Sequence, residues 1–536
     1  MKKNILTLLL IPMLVGCFSD QGNYDYLDLA EITIENVPEM IEVLQNVDNI
    51  IITPTIRSSL EGIISENNPY FSVQYRIGYQ LMGSMTDANG NRVVFLTLNP
   101  DGNFNLDIPA NFGASSYVIW MTVTDNRTNV VTSFFIPVTI STTTYEGWLV
   151  LCDEGVEERV RLDMISKISS TRIETISDII EGMPVIHRAI HIGFHPAQMS
   201  PGDQIFVFSE EGGYRVNAND FTTDETWNYI QNAFAIPPGG GTEKVVFHTP
   251  MSITNDPSYM LAYVMAVTDA GNAYAYHTNA AGAAFGFPVN VPVSGTTPDF
   301  RVAPFIGFSP MRPANGVTAL FYDIDNQRFM AWRHASREIM TPLADPTENM
   351  MFSYQTGKDM IYMENTRRSS GLVYAIMQDN QGDRSLYGIN MGGNGFVQEL
   401  YQDNINAPDF GDAIHFAFHS QYAVMFYATS SKVYLYNIAT STAYDITSSV
   451  LNAGEEVTLL KFNLYRLSAL GQLNTQTEAF MNQQFQLIVG SFNASAGTNG
   501  GRVGFYELNA PTNTVSKLLD YNGFAKVRDV LYRERN

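Results

Sequence analysis

Short runs of β-branched and aromatic residues, broken by Gly, Pro, Asn and Asp, fill most of this chain. Between residues 30 and 144 such runs fall at 31–34, 50–53, 71–81, 93–98, 116–125 and 130–140. Turn signals separate them, as in Asp87-Ala88-Asn89-Gly90 and Pro100-Asp101-Gly102-Asn103. Residues 117–125 alternate apolar and polar, the pattern of a strand with one buried face. About seven short strands in about 115 residues predict an immunoglobulin-like β-sandwich over 29–144. Asp87 to Asn91 has a faint calcium-loop look, but no bidentate Glu follows where such a loop needs one, so a hairpin turn is expected there.

From residue 145 onward the pattern repeats. A short apolar run recurs at 190–196, 245–250, 304–310, 358–362, 414–419 and 459–463. Each is followed by a pair of β runs: 205–208 with 213–216, 262–267 with 273–276, 319–322 with 328–332, 372–376 with 385–389, 423–427 with 432–436, and 485–489 with 502–506. The period of roughly 45 to 65 residues is that of propeller blades, not of solenoid coils. A further pair at 147–152 and 159–165 lacks its first strand, and residues 526–532 supply a matching run at the other end of the chain. The expected fold is all-β: the sandwich, then a seven-bladed β-propeller over 145–536, closed by its C-terminal strand so that no edge is left open.

The N-terminus has a different character. Lys2 and Lys3 precede an apolar stretch over 4–15, too short to span a bilayer. It ends in Leu14-Val15-Gly16-Cys17, a lipobox. The cysteine thiol takes the diacylglyceryl group, and the small Gly16 lets the peptidase reach the bond. Residues 1–16 are therefore read as a signal peptide, Cys17 as the lipidation site, and 17–28, rich in small and polar residues, as a tether. Two or three acyl chains anchor stably where one does so only marginally. Phe18 follows the cysteine, so no aspartate stands there to hold the chain at an inner membrane, and Asp20 begins a thin acidic tether. The outer membrane, surface-facing, is the expected location.

Composition narrows the function classes. The formal charge is −23, and loss of Lys2 and Lys3 with the leader takes it to −25. Such a chain repels nucleic acid, whose affinity rests on Lys and Arg at phosphates. With 45% hydrophobic, 12% aromatic and only 16% charged residues it is no disordered polyanion. Of its two cysteines, Cys17 is committed to lipid; Cys152 lies in an apolar run and is read as a small buried hydrophobe, not a nucleophile.

Candidate chemistry is sparse. His187, His191 and His195 are spaced by four, and His415 and His419 repeat the spacing in another unit. On strands that spacing spreads the rings too far apart for one metal, so blade packing is the expected role and no metal or cofactor is assigned. Acidic turns at Asp323-Ile324-Asp325-Asn326, Asp379 to Asp383 and Asp153-Glu154-Gly155 are read as hairpin turns, not as a glycosidase carboxylate pair. Gly239-Gly240-Gly241 lacks the Lys-Ser/Thr of a phosphate loop and is read as a flexible loop. Trp227, Tyr229 and Trp332 are candidates for stacking on sugar rings. No ligand-binding residue is assigned beyond these, and no catalytic one.

Cys17 with Gly22-Asn23-Tyr24-Asp25-Tyr26, the segment Tyr145-Glu146-Gly147-Trp148-Leu149-Val150-Leu151, and the run ending in Val123-Thr124-Asp125 together resemble the PKD-like family lipoproteins of Bacteroidetes. The resemblance extends over essentially the whole chain, and it identifies the sandwich as PKD-like. It implies an accessory lipoprotein encoded beside a SusC/SusD-type outer-membrane importer and brings no catalytic residues. The tryptophan-aspartate-glycine signature of better-known PKD domains is missing, so the family name says little about ligand. The expected function is a non-catalytic surface lipoprotein that binds a glycan or peptide nutrient or contacts such an importer. The alternatives are a propeller enzyme acting on glycans, as lyase or hydrolase, and a structural envelope protein.

Overall fold

The computed structural model describes residues 29–79, 96–98, 104–168, 172–195, 204–218, 220–223, 232–251, 263–277, 284–291, 298–308, 318–333, 339–392, 395–464 and 482–533. Residues 1–28, with Leu14, Val15, Gly16 and Cys17, lie outside them, as do the Asp87 turn, Trp227 and Tyr229. The chain divides into two compact units, Met1–Ser141 and Thr142–Asn536. Among the described residues both are built from β-strands with almost no helix.

In the first unit, the described strands form a five-stranded sheet in the order Ile41–Leu44, Val130–Ser141, Ser115–Asp125, Phe71–Tyr79, Leu96–Leu98. A three-stranded sheet (Ile32–Glu35, Thr55–Ser58, Gly62–Ile63) and the pair Asn49–Ile52 with Leu106–Pro109 accompany it. One core serves all three. Ile50 and Ile52, Ile56, Tyr75 and Ile77, Ile119, Met121 and Val123, and Ile136, Val138 and Ile140 are all buried in it. Strand alternation puts these residues on one face and their neighbours in solvent.

The second unit holds seven antiparallel sheets among the described residues. The first is ordered Ile173–Ile176, Arg159–Lys167, Gly147–Glu154, Lys526–Arg533, so the last strand of the chain pairs with its earliest sheet here. The second is Ala189–His195, Gln204–Ser209, Gly212–Asn217; the third is Val245–Met251, Tyr263–Thr268, Ala273–His277. The fourth runs Gly307–Phe308, Thr318–Asp323, Arg328–Arg333, Met340–Pro342, and the fifth Asp359–Asn365, Leu372–Gln378, Arg384–Asn390, Val397–Gln402. The sixth is His415–Phe418, Val424–Ala428, Val433–Asn437, Thr442–Asp445, and the seventh Glu456–Lys461, Gln486–Phe492, Gly501–Asn509, Thr514–Phe524.

The central strands of these sheets are apolar on both faces, because each face packs on a neighbouring sheet. On Tyr263–Thr268, Met265 and Val267 meet the fourth sheet at Phe321 and Trp332, while Val264 and Ala266 meet the second at Phe206 and Phe208. Similar clusters lie between every successive pair, and one of them joins the seventh sheet (Ile488, Val503, Phe505) to the first (Val150, Cys152, Val530). Sheets packed face to face in sequence order, with their first strands side by side, make a propeller-like unit.

Candidate functional site

The innermost strand of each sheet has little freedom, yet five of them carry a β-bulge near the start. The ladder skips Ile190, Val246, Ile361, Thr458 and Arg528. A bulge re-aims the residues beside it. The residues that follow are His191, Phe247, Tyr362, Leu459 and Asp529, the same position in five sheets. Three of the five belong to one polar cluster.

Asp529 is its centre and is buried. Lys461 Nζ donates to Oδ1 at 2.6 Å, and the His191 ring approaches Oδ2 through Nδ1 at 2.8 Å. The backbone N–H of Ile192 donates to Oδ2 at 3.1 Å. Burial works to raise the carboxyl pKa, but the Lys461 charge and the His191 contact override it and hold the group well below the usual carboxylate range. His191 Nε2 lies 2.9 Å from the carbonyl oxygen of His248. Two acceptors thus face the two nitrogens of the ring. Gly193 makes room beside it: a Cβ there would come within 2.7 Å of His248 Nδ1.

Glu364 belongs to the fifth sheet. Its Oε2 accepts from the Phe418 N–H at 2.9 Å and the Tyr362 hydroxyl at 3.3 Å. Burial dominates here; those hydrogen bonds and the Lys461 charge only partly offset it, and the carboxyl is pushed up to about 8. The cluster therefore joins an ionised carboxylate, held by Lys461 and the His191 ring, to a carboxylic acid whose pKa burial raises to about 8. Chemically it can fasten six sheets together, all but the fourth, and Glu364 can hold or give up a proton.

The Tyr145–Leu151 segment serves the same fastening. Glu146 accepts from the Tyr532 hydroxyl, and Trp148 packs edge-on against Tyr532 (5.0 Å between ring centroids) and at a tilt against Phe505 (4.9 Å). Gly147 has φ +146°, and any side chain there would meet the Ile165 carbonyl.

The other candidates fall elsewhere. His187 pairs with Glu211 at 3.1 Å and His191 with Asp529, while the His195 side chain lies outside the described residues. His419 accepts from the N–H groups of Gln421 and Tyr422, stacks on Phe485 and is buried; burial lowers it and His415 to about 4. Asp323 caps its own hairpin through the N–H groups of Asp325 and Asn326 and pairs with Arg328; Asp379 does the same through Gln381 and Asp383. Asp153 is not a turn residue: it accepts from Ala189 N–H at 2.8 Å and pairs with Arg528, tying the first sheet to the second. Gly239, Gly240 and Gly241 all sit at positive φ in a short turn closed by Thr242, so a defined turn replaces the flexible loop expected there. Trp332 is fully buried against Tyr263 and offers no surface to a sugar. Burial pushes the Cys152 thiol well up, consistent with a packed hydrophobe.

Sequence reasoning missed Asp529, Lys461 and Glu364, and the clasp they make. Lys461 and Asp529 lie inside runs that the sequence marks only as apolar.

This is a propeller-like all-β protein with a separate N-terminal β unit and an ionic clasp between sheets. Residues 17–184 match the PKD-like family, a stretch that takes in the N-terminal unit and three strands of the first sheet. No curated protein matches the chain in sequence. Among solved structures, it is similar to a quinonprotein alcohol dehydrogenase-like protein of Bacteroides thetaiotaomicron VPI-5482 at 10% identity and TM-score 0.39, over 94% of this chain and 99% of that one. It is also similar to a DUF4784 family protein of Bacteroides caccae ATCC 43185 at 8% identity and TM-score 0.29, over 78% and 95%.

Proposed function

We propose that this chain is a lipid-anchored, non-catalytic accessory protein at the outer surface of the cell, serving a SusC/SusD-type importer and binding its glycan or peptide nutrient. In this reading residues 1–16 are removed, Cys17 carries the lipid, and 145–536 form a seven-bladed propeller closed by Lys526–Arg533. The observation that carries it is the lipobox Leu14-Val15-Gly16-Cys17, supported by a family match that begins at Cys17 itself. The Asp529 cluster supports the non-catalytic part: both carboxylate oxygens are engaged by protein groups from the second and seventh sheets, a fastening arrangement. The enzyme reading draws on one feature, the neutral Glu364 carboxyl, since a raised carboxyl pKa is what a general acid needs.

Fractionation and a turnover screen test the proposal. Cys17→Ala is expected to leave the unlipidated chain outside the membrane fraction, and undiminished attachment would refute the anchor. Turnover of a glycan or peptide by the pure protein, abolished in Glu364→Gln, would put the enzyme reading in its place.

A further inference from the structure

The outward face of the five-stranded sheet in the first unit carries an aromatic pair that the core does not use. Tyr75, Ile119, Met121, Ile136 and Val138 turn inward; Trp120 and Phe135, one position away, turn outward. They stand opposite one another across neighbouring strands, with ring centroids 5.1 Å apart and planes at 34°. Phe135 is 56% exposed. On the far side Trp120 is opposite Arg76, whose guanidinium is held along the sheet by a 2.9 Å hydrogen bond to Gln74 Oε1. The adjoining row across the same three strands is Gln74, Thr122 and Ser133.

We propose that this face is a binding platform for a neutral glycan, with exposed Phe135 stacking on a pyranose ring beside the half-buried Trp120 that packs against it, and Arg76, Gln74, Thr122 and Ser133 meeting the hydroxyl edges. A pyranose has apolar C–H faces and a rim of donors and acceptors. The platform offers both: an exposed ring backed by a second, the Arg76 guanidinium one strand from Trp120, about 5 Å, and the Gln74 amide and the Thr122 and Ser133 hydroxyls in the next outward-facing row, about 7 Å along the strands. Two rings are far less than the roughly 800 Å² that a stable protein partner covers. The chain's formal charge of −23 disfavours a polyanionic glycan. All six side chains stand on strands, which fixes their geometry better than loops do. The proposal rests on the nutrient-binding reading and names its ligand class. It places binding on the first unit.

The full-length lipoprotein, purified in detergent, should be run by affinity electrophoresis against amylopectin, xyloglucan, laminarin and mannan, with polygalacturonate as the acidic control. At least one neutral polysaccharide is expected to retard it. Phe135→Ala should weaken that binding about tenfold, the scale of a lost aromatic contact. It should leave the melt unchanged because the ring is exposed. Arg76→Ala should weaken binding by less, and Tyr422→Ala, an exposed aromatic of the second unit, should not change it. Retention of full affinity in Phe135→Ala, binding to polygalacturonate alone, or binding to none of the five overturns the platform. Importer capture separates the two readings: Phe135→Ala is expected to capture importer like the wild type. If it does while glycan binding fails these criteria, the platform alone is wrong; if neither chain captures importer, the accessory reading fails with it.

Discussion

Burial pushes the carboxyls of Glu364 and Asp529 in the same direction, yet they end on opposite sides of neutrality, because only Asp529 has the Lys461 ammonium and the His191 ring directly against it. The consequences for stability have opposite signs. Glu364 keeps its proton in the folded chain up to about 8, whereas the unfolded chain loses it near the ordinary 4.5. Between those values the native state binds more protons, so stability falls as pH rises through the window and levels off above it. The shift corresponds to about 5 kcal/mol. Glu364→Gln keeps an acceptor for the Phe418 N–H and has nothing to ionise. It should melt like the wild type at pH 4.5 and above it at pH 8.5, and equal melting at both would remove Glu364 from the buried cluster. Asp529 stabilises above the ordinary 3.8, and its contribution is lost as pH falls below that. Asp529→Ala leaves Lys461 and His191 without their shared counter-ion and should cost about 3–5 kcal/mol at pH 7 by urea unfolding. A loss under about 1 kcal/mol would mark the cluster as a solvated surface pair. The sequence singled out His191 by its spacing, but its partner belongs to the other end of the chain: Asp529 lies 337 residues from the Ile192 it also binds. No local pattern reports such a contact.

What could be read at the level of elements was what burial writes into sequence. Each sheet's central strands have both faces covered, so they appear as continuous apolar runs, and Ala319, Leu320, Phe321 and Tyr322 fall within Thr318–Asp323 as the pattern implied. The outer strands Ile173–Ile176, Val397–Gln402, Thr442–Asp445 and Thr514–Phe524 were not foreseen. They face solvent on one edge and carry mixed residues with no apolar run to mark them. Ile41–Leu44, Thr55–Ser58 and Leu106–Pro109 in the first unit were missed because Glu42, Arg57 and Asp107 interrupt their short apolar runs. Bulges leave no compositional trace at all, since an extra residue such as Thr458 looks like any other strand residue. The pairing of Lys526–Arg533 with Gly147–Glu154 has a direct consequence. Truncation after Gly523 removes the partner of Trp148 to Leu151, the Asp529 clasp and the Tyr532 contacts with Glu146 and Trp148 together. The whole second unit should lose its cooperative melt, seen as a broadened transition at lower temperature by calorimetry. A truncated chain that melts like the wild type would show that this strand adds nothing to the stability of the second unit.

At the scale of the molecule the proposed anchor changes how much affinity is needed. A lipoprotein held by two or three acyl chains stays in the plane of the membrane, where an importer is also confined. Confinement acts as a raised effective concentration, so contacts too weak to survive in solution can hold an accessory protein in place, with gains of about 10²–10⁴ and no new contact. The expected interface is therefore modest, and the same chain without lipid should lose most of its apparent affinity. Mild solubilisation of outer membranes followed by capture of the tagged wild-type chain should recover a large β-barrel transporter with its lid-like lipoprotein. Cys17→Ala, expressed to the same level, should recover at least about a hundredfold less. Equal recovery by the two chains would mean that the contact is strong by itself and that anchoring has no part in it, and recovery by neither would leave the chain without the partner that its accessory role requires.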